Sequence, residues 1–512
     1  MSASRIVTRL AFVPAEIDSA FTTLPLAALA DAGMRRAREL GAEHADVRVE
    51  RIRHQRISLH DAVVQNASSG TELGLAVRVV HNGSWGFAAG VELTPDAARR
   101  LAEEAVAVAR VAKPMTLEPI ELADEPVHAD RTWVSAYDIN PFDVGTPEKV
   151  ARLVELSSAV LGSSPVAHVS TSLAQVQDNK FYADSAGTST TQQRVRLMPS
   201  IEVHGSDADR GLFDSMRTLT PPTGRGWEYV TADRLTEDVA ALPSLLAEKL
   251  AAPSVQAGQY DLVIDPSNLW LTIHESIGHA TELDRALGYE ANYAGTSFAT
   301  PDKLNTLKYG SPVMTITGDR TVPHGLSTTG FDDDGVETQQ WDIVRDGTLV
   351  GYQLDRRIAK RYGFERSNGC AFADSPGHVP IQRMANVSLQ PSAEDISTDD
   401  LIGRIDRGIY ILGDKSWSID MQRYNFQFTG QRFYAIENGK LAGQVRDVAY
   451  QATTTDFWGS MEAVGGRDTW VLGGAFNCGK AEPGQVAAVS HGCPSALFRD
   501  IRILNTTEES GR

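Results

Sequence analysis

Cysteine is scarce in this chain, which has three among its 512 residues. So few thiols, with no paired spacing, indicate a reducing compartment, and we expect the protein in the cytoplasm. Long apolar runs are lacking too: none approaches the ~18 residues of a membrane span, so no membrane association is expected. The short apolar run at residues 24–30 follows Glu16 and Asp18 without a basic segment, which is typical of a helix start rather than a secretion signal.

Basic residues are also outnumbered, with 48 Lys and Arg against 66 Asp and Glu and a formal net charge of −18. Binding to a nucleic-acid backbone needs clustered Lys and Arg, so we expect no nucleic-acid partner. Repeats and low-complexity tracts are absent from the sequence. At 42% hydrophobic residues, the chain is long enough for two or three ordinary domains.

Against this background, one stretch concentrates metal-binding side chains: His274-Glu275-Ser276-Ile277-Gly278-His279. Zinc prefers nitrogen and sulfur donors, and a catalytic zinc site has three protein ligands and one position for water. A glutamate beside the first histidine can take the proton of that water and pass it to the leaving amine. The stretch therefore predicts a zinc hydrolase site with Glu275 as the catalytic carboxylate.

The two histidines are five residues apart, one more than in the common H-E-x-x-H motif. On a regular α-helix their side chains would diverge by about 140°, too far to share one ion. The motif therefore requires a π-bulge or an early helix end, and Gly278 makes such a distortion easier. An ordinary helix with two unrelated histidines is the alternative interpretation.

A third ligand must come from elsewhere, and the cysteines Cys370, Cys478 and Cys493 are the softest candidates. Cys478 is flanked by glycines that let the backbone approach a metal, and Lys480 would favour its thiolate. Cys493, within His-Gly-Cys-Pro, is the rival. Taken alone, a cysteine is more often a buried structural residue than a metal ligand.

Other residues have weaker claims. Glu282 would lie about 60° from His279 on a helix, close enough to orient its imidazole. Asp332-Asp333-Asp334 before a glycine is typical of a solvated turn, and we assign it no metal. Four isolated polar residues can assist a reaction, but such residues are more often structural: His324, His378, His491 and Tyr293.

The motif His-Glu-Ser-Ile-Gly-His-Ala-Thr-Glu-Leu-Asp and the later Asn477-Cys478-Gly479-Lys480 resemble the TldD side of the TldD/PmbA family of metallopeptidases. Matching stretches cover most of the chain, at residues 51–53, 73–78, 85–88, 331–335, 383–386 and 433–439. The resemblance implies that His274, His279 and Cys478 hold one zinc ion per chain and that Glu275 is catalytic. The PmbA side lacks the histidine motif, so this chain looks like the metal-bearing partner.

The resemblance further implies a peptidase for unfolded or precursor peptides, acting as a heterodimer with a PmbA/TldE-type partner or as a homodimer. It leaves the substrate and the cleavage-site preference open. Residues 413–420 are bulkier and more charged than the glycine-rich segment usual in the family, which bears on substrate preference. Two alternatives remain: a non-catalytic binding or modulator subunit with a structural metal, and a cysteine peptidase that uses Cys478 or Cys493 as nucleophile.

Periodicity predicts helices at residues 26–40, 95–111, 147–161 and 235–250, with Thr94 and Thr146 as capping hydroxyls. Residues 45–59 and 76–80 alternate as strands, and Asn82-Gly83, Asp346-Gly347 and Asn438-Gly439 predict tight turns. A proline-rich break at residues 218–226 separates two parts. We predict an α+β fold, with an amino-terminal α/β domain at residues 1–225 and a largely antiparallel, β-rich catalytic domain at residues 226–512 that carries the HExxxH helix.

Overall fold

The computed structural model describes residues 16–509, so the outermost residues of both predicted domains lie outside the described part. Its mixture of helices and mostly antiparallel sheets confirms the α+β class. Among the described residues, no helix combines the length and the apolar character that crossing a membrane requires.

A seven-stranded sheet dominates the amino-terminal half, in the order β3-β2-β1-β5-β6-β4 with β7 paired to β6. All neighbours are antiparallel except β4 and β6. Asn82 and Gly83 join β2 to β3 with φ of 51° and 69°, the left-handed pair that a two-residue hairpin turn favours. The strands are β1 His44–His60, β2 Val63–His81, β3 Ser84–Gly90, β4 Arg131–Val134, β5 Val166–Asp184, β6 Ser189–Asp207 and β7 Leu212–Arg217.

Two helix pairs cover this sheet, α2 with α3 over β1–β3 and α4 with α6 over β5–β7. The Thr94 hydroxyl caps α3 by accepting the Ala97 N–H, as predicted. The prediction for Thr146 is wrong: it lies inside α4, and its hydroxyl accepts a hydrogen bond from Gln55 instead. The helices are α1 Ser19–Thr22, α2 Leu26–Glu39, α3 Pro95–Ala112, α4 Thr146–Val160, α5 Glu228–Thr231 and α6 Asp233–Ala251.

The second half consists of short strands around a largest sheet ordered β15-β8-β22-β18-β16-β17, in which β15 also pairs with β16. Its helices are α7 Pro266–Ile273, α8 Leu283–Ala286, α9 Arg356–Arg361, α10 Thr398–Ile402, α11 Thr454–Gly459 and α12 Thr506–Glu509. Its strands are β8 Gly258–Ile264, β9 Ile316–Asp319, β10 Gln340–Arg345, β11 Thr348–Leu349, β12 Ala371–Phe372, β13 Ile381–Gln382, β14 Asn386–Leu389, β15 Arg407–Ile419, β16 Asn425–Glu437, β17 Lys440–Val445, β18 Val448–Thr453, β19 Met461–Val464, β20 Val471–Ala481, β21 Gly484–Cys493 and β22 Ala496–Asn505.

The largest hydrophobic core lies in this half and surrounds α7. Along the chain, α7 comes directly after strand β8. The turns at Asp346-Gly347 and Asn438-Gly439 have the predicted left-handed conformations. The boundary between the predicted domains stays a prediction. Helix α6, which follows that boundary, packs on the amino-terminal sheet.

The prediction of a solvated turn at residues 332–334 is wrong. All three aspartates are at most 5% exposed. The carboxylate of Asp333 lies 2.8 Å from Lys180 Nζ, and that of Asp334 lies 2.6 Å from an Arg78 nitrogen. Asp333 and Asp334 are buried because strands β2 and β5 of the amino-terminal sheet present cations to them, and buried carboxylates require such partners. Asp332 instead accepts backbone N–H groups, from Asp334, Val336 and Ala371.

Candidate metal centre and active site

The histidine motif occupies an irregular helical segment at the end of α7. The Asp265 side chain caps α7 at its start, and Pro266 occupies the first turn. His274–Gly278 then forms a π-turn, closed by a hydrogen bond from the His279 N–H to the His274 carbonyl, and a short 3₁₀ turn follows. The five-residue spacing requires either a π-turn or an early helix end. A π-turn meets this requirement because it brings residues five apart onto the same side of the helix.

The π-turn places His274 and His279 beside Cys478, with candidate ligand atoms of all three within 4.8 Å of one another. All three side chains are buried. Cys478 Sγ lies 3.6 Å from His279 Nε2. Typical Zn–S and Zn–N bonds at tetrahedral angles place two such donors roughly 3.5 Å apart. The donor types and this spacing therefore fit zinc.

The position of Cys478 depends on an irregular strand. Strand β20 pairs with β21, and the register shifts between Ala475 and Cys478, a bulge of the kind that redirects a side chain. Gly473 lies against Trp270 of α7, where a Cβ would come within 2.6 Å of the indole. This glycine lets β20 approach the motif helix closely. The rivals Cys370 and Cys493 are buried elsewhere and do not join the cluster.

Each histidine is oriented by a hydrogen bond to its Nδ1. His279 Nδ1 lies 2.8 Å from a carboxylate oxygen of Glu282. His274 Nδ1 lies 2.7 Å from Nε2 of His491, whose own Nδ1 lies 2.8 Å from the Val387 carbonyl. Because a carbonyl and a carboxylate can only accept, these partners assign the Nδ1–H tautomer to all three rings. The Nε2 lone pairs of His274 and His279 are then free for a metal.

Burial controls the charge of these groups. It lowers the pKa values of His274 and His279 well below the ordinary value of 6.5, which keeps both imidazoles neutral, the state in which they bind metals. Burial also raises the pKa of Cys478 to about 11, and Arg383 opposes this rise. Lys480, which we expect to favour the thiolate, has its ammonium 2.6 Å from the Asp284 carboxylate.

Glu275 lies next to the first histidine and is 6% exposed. Its carboxylate forms an ion pair with Arg423, which lies in the loop between β15 and β16. Burial raises the pKa of Glu275, and the positive charge of Arg423 opposes the rise. The carboxylate is therefore held in place by a partly buried cation.

The loop that carries Arg423 is firmly built. The Asp420 carboxylate accepts backbone N–H groups from Gln422, Tyr424 and Asn425. Arg423 itself has a left-handed φ of 63°, and its carbonyl accepts the Thr454 hydroxyl at 2.7 Å. A non-glycine residue in this conformation is strained, and it persists because its surroundings fix it. The loop thus presents the guanidinium to Glu275 in a fixed position.

The three candidate ligands and Glu275 line one cleft with a volume of about 470 Å³. Its other walls come from residues 198–200 of β6, residues 217–222, helix α7, Asp414, Lys415 and Trp417 of β15, and parts of β20 between Val471 and Gly479. Among the described strands, β20 pairs only with β21, so its other edge has no strand partner beside the cleft. The half-exposed Trp417, from the segment at residues 413–420, also lines the cleft.

The remaining predicted residues fall outside this cluster. His378 and Tyr293 are exposed, and His324 bonds the Ala136 carbonyl. Sequence reasoning missed Arg423 and Arg383 and gave His491 only a general role. No local pattern marks the role of Arg423 or His491, because each reaches the site from a distant loop or strand. Arg383 lies in residues 383–386, one of the stretches that resemble the family.

We expect His491→Ala to weaken zinc binding by roughly 10–100-fold, the usual effect of removing the group that orients a ligand histidine. His491→Gln should restore part of the affinity, because its amide oxygen can accept the His274 N–H. The measurement is competition for zinc against a chromogenic chelator, with His324→Ala as control. Unchanged affinity in His491→Ala would show that His274 needs no such orientation.

Two domain models of one family match the sequence. One, described as the PmbA/TldA metallopeptidase C-terminal domain, covers residues 257–505. The other, PmbA/TldA metallopeptidase domain 1, covers residues 45–109. The first includes every residue of the buried cluster.

Similar curated proteins are named as metalloproteases. One from Archaeoglobus fulgidus is 31% identical over 70% of this chain and 78% of its own length. One from Methanothermobacter thermautotrophicus is 28% identical over 91% of this chain and 96% of its own length. A protein of Saccharolobus solfataricus, named as a zinc metalloprotease TldD homolog, is 23% identical over 92% of this chain and 98% of its own length.

Two solved structures share the fold. A Thermotoga maritima protein, named for a proposed role as modulator of a DNA gyrase, has a TM-score of 0.74 at 18% identity over 93% of this chain and 99% of its own. TldE from Thermococcus kodakarensis has a TM-score of 0.67 at 18% identity, and the match covers 92% of this chain and 98% of TldE. At this identity the likeness concerns the fold alone.

Proposed function

The chain belongs to the TldD/PmbA family of metallopeptidases, and from this premise we propose that it is a zinc-dependent peptidase for unfolded or short precursor peptides. The observation that carries the proposal is the position of Glu275 in the same cleft as His274, His279 and Cys478. Two imidazoles, a thiol and a neighbouring carboxylate are the set that metal-assisted peptide hydrolysis needs.

In the proposed reaction, His274, His279 and Cys478 would hold one catalytic zinc ion, which when bound would polarise the scissile carbonyl and lower the pKa of water. Glu275 receives the proton of the attacking water and delivers it to the leaving amine. Arg423 keeps the Glu275 carboxylate aimed at the cleft. Glu282 and His491 keep the two histidines oriented.

The unpaired edge of β20 supports extended peptides as substrates. A peptide that lies along this edge can form backbone hydrogen bonds and pass the ligands and Glu275. A cleft of about 470 Å³ has room for a few residues of an extended chain but not for a folded domain. Unfolded segments therefore fit the site best.

Family membership also supports a PmbA/TldE-type partner that lacks the histidine motif, or a second copy of this chain. Unpaired strand edges invite association, and a closed dimer would cover them. Such closure would enclose the cleft and strengthen the selection for extended substrates.

The alternative of a cysteine nucleophile rests on the 3.6 Å separation of Cys478 Sγ and His279 Nε2, which also suits a thiol and its base. The raised pKa of Cys478 disfavours the thiolate that such a mechanism needs. The alternative of a non-catalytic modulator subunit draws on the names of two proteins with this fold, each called a proposed modulator of DNA gyrase. It predicts zinc binding without turnover.

Cleavage of one protein in two states tests the proposal. Reduced, carboxymethylated ribonuclease A should be digested, and native ribonuclease A, with the same sequence, should be spared. A chelator should abolish digestion and zinc should restore it, whereas a thiol alkylator applied to the zinc-loaded protein should have little effect. The assay is run with this chain alone and with a PmbA/TldE-type protein, and light scattering gives the oligomeric state. Digestion of both forms at equal rates, or digestion by the zinc-free chain, would refute the proposal.

A further inference from the structure

A second cluster of metal-binding side chains lies on the surface of the amino-terminal sheet. The candidate ligand atoms of His60, Asp61 and His168 all lie within 4.8 Å of one another. His60 ends β1, Asp61 is in the β1–β2 turn, and His168 is near the start of β5. Their side chains are 52%, 29% and 57% exposed, so the cluster faces solvent.

The carboxylate of Asp61 is the fixed centre of this cluster. Its Oδ1 accepts the Val169 N–H at 2.8 Å. Its Oδ2 lies 2.8 Å from His168 Nδ1 and 3.5 Å from His60 Nε2. Both imidazoles therefore converge on one oxygen, whose orientation the backbone of β5 sets.

The backbone holds the three residues in this arrangement. Asp61 and Ala62 have φ of 50° and 62°, and the Asp61 N–H donates to the Val169 carbonyl at 2.9 Å, which fastens the turn to β5. The pairing of β5 with β6 shifts between Val166 and His168, an irregularity that redirects side chains. The two rings are stacked with centroids 5.3 Å apart.

The charges suit a cation. Among the described residues, Asp61 forms ion pairs only with these two histidines, so no Lys or Arg occupies the carboxylate. The hydrogen bond from His168 lowers the pKa of Asp61, which stays ionised at neutral pH. An exposed imidazole–carboxylate pair without a second histidine occurs at His378 and Asp374, 2.6 Å apart, and provides a matched comparison.

We propose that His60, Asp61 and His168 bind a divalent zinc-type ion independently of the buried centre. Two imidazole nitrogens and a carboxylate oxygen form a common donor set for zinc, and solvent exposure leaves room for water as the remaining ligand. On binding, the hydrogen of His168 Nδ1 is released to solvent while Nε2 takes one up, so the ring stays neutral and its Nδ1 lone pair becomes available to the ion. The ion then ties the β1–β2 turn to β5.

None of the three residues lines the cleft, and the contact between the two halves of the chain at Glu50, Lys180 and Asp333 is distant from them. Glu50 of β1 lies 3.0 Å from Lys180, which bonds Asp333 of the second half. Ten residues of strand, about 33 Å at the usual rise, separate Glu50 from His60. Substitution of the surface histidines should therefore leave peptide cleavage unchanged.

Equilibrium dialysis of the metal-stripped full chain against micromolar zinc, with bound zinc measured by elemental mass spectrometry, tests the proposal. We expect about two ions per chain in the wild type and in His378→Ala, but about one in His60→Ala or His168→Ala. Cys478→Ser should retain the surface ion, and Cys478→Ser/His168→Ala should retain none. Because His60 and His168 are exposed, their variants should fold, which circular dichroism can verify.

Two results would overturn the proposal: no loss of bound zinc in His168→Ala, or a second ion that binds only at millimolar zinc. If the buried centre bound no zinc, the numbers of bound ions would follow a different pattern. In that case the wild type and Cys478→Ser would each bind about one ion, and His168→Ala would bind none.

Discussion

Glu275→Gln is expected to lower the rate of peptide cleavage by roughly 10²–10⁴-fold, the usual effect of losing a general base. The amide is nearly the same size as the carboxylate but cannot accept the proton of the attacking water. Zinc content should stay near that of the wild type, because Glu275 is not among the proposed ligands. The measurement combines kcat for an unfolded peptide with elemental analysis of the same preparation.

A suitable control is Glu462→Gln, because Glu462 is also paired with an arginine, Arg499 at 2.6 Å, but does not line the cleft. It should cleave at the wild-type rate. Wild-type turnover in Glu275→Gln would remove this residue from the mechanism. Loss of zinc from Glu275→Gln would show instead that its carboxylate supports the metal site.

Cys478→Ser should release the buried zinc, with a loss of affinity larger than the roughly 10–100-fold that follows removal of an orienting group. A serine hydroxyl is a hard donor and a poor replacement for a thiolate about 2.3 Å from zinc. Competition with a chelator measures the loss, in the His168→Ala background so that only the buried centre contributes. Peptide cleavage should disappear together with the zinc.

Cys493→Ser separates a ligand effect from the effect of any buried polar substitution. Cys493 is fully buried, like its counterpart, but contacts the Pro266 carbonyl rather than the histidines. Its variant should keep the buried zinc. If Cys493→Ser lost the ion and Cys478→Ser kept it, the assignment of the third ligand would be wrong.

The local part of the site could be predicted from sequence because it is encoded in consecutive residues. The five-residue spacing of His274 and His279 requires a distorted helix, and the structure has a π-turn there. The link to Cys478 came from the family resemblance, since composition alone left three cysteines in contention. The α+β class followed from periodicity and turn residues, which depend on near neighbours.

The residues that sequence reasoning missed depend on the tertiary arrangement. Arg423 reaches Glu275 from a loop 148 positions away, and His491 reaches His274 across 217 positions. The aspartates at residues 332–334 looked like a surface turn because the sequence does not show that cations of β2 and β5 meet them. Thr146 matches the capping pattern, yet α4 begins at Thr146 itself, one residue earlier than predicted. The Thr146 hydroxyl accepts a hydrogen bond from Gln55 instead.

The most direct test of the metal centre is an anomalous difference map measured at the zinc absorption edge, from crystals of protein that has been shown to cleave an unfolded peptide. We expect a strong peak within bonding distance of His274 Nε2, His279 Nε2 and Cys478 Sγ, as the proposed metal centre requires. An active preparation without a peak among these three atoms would contradict it.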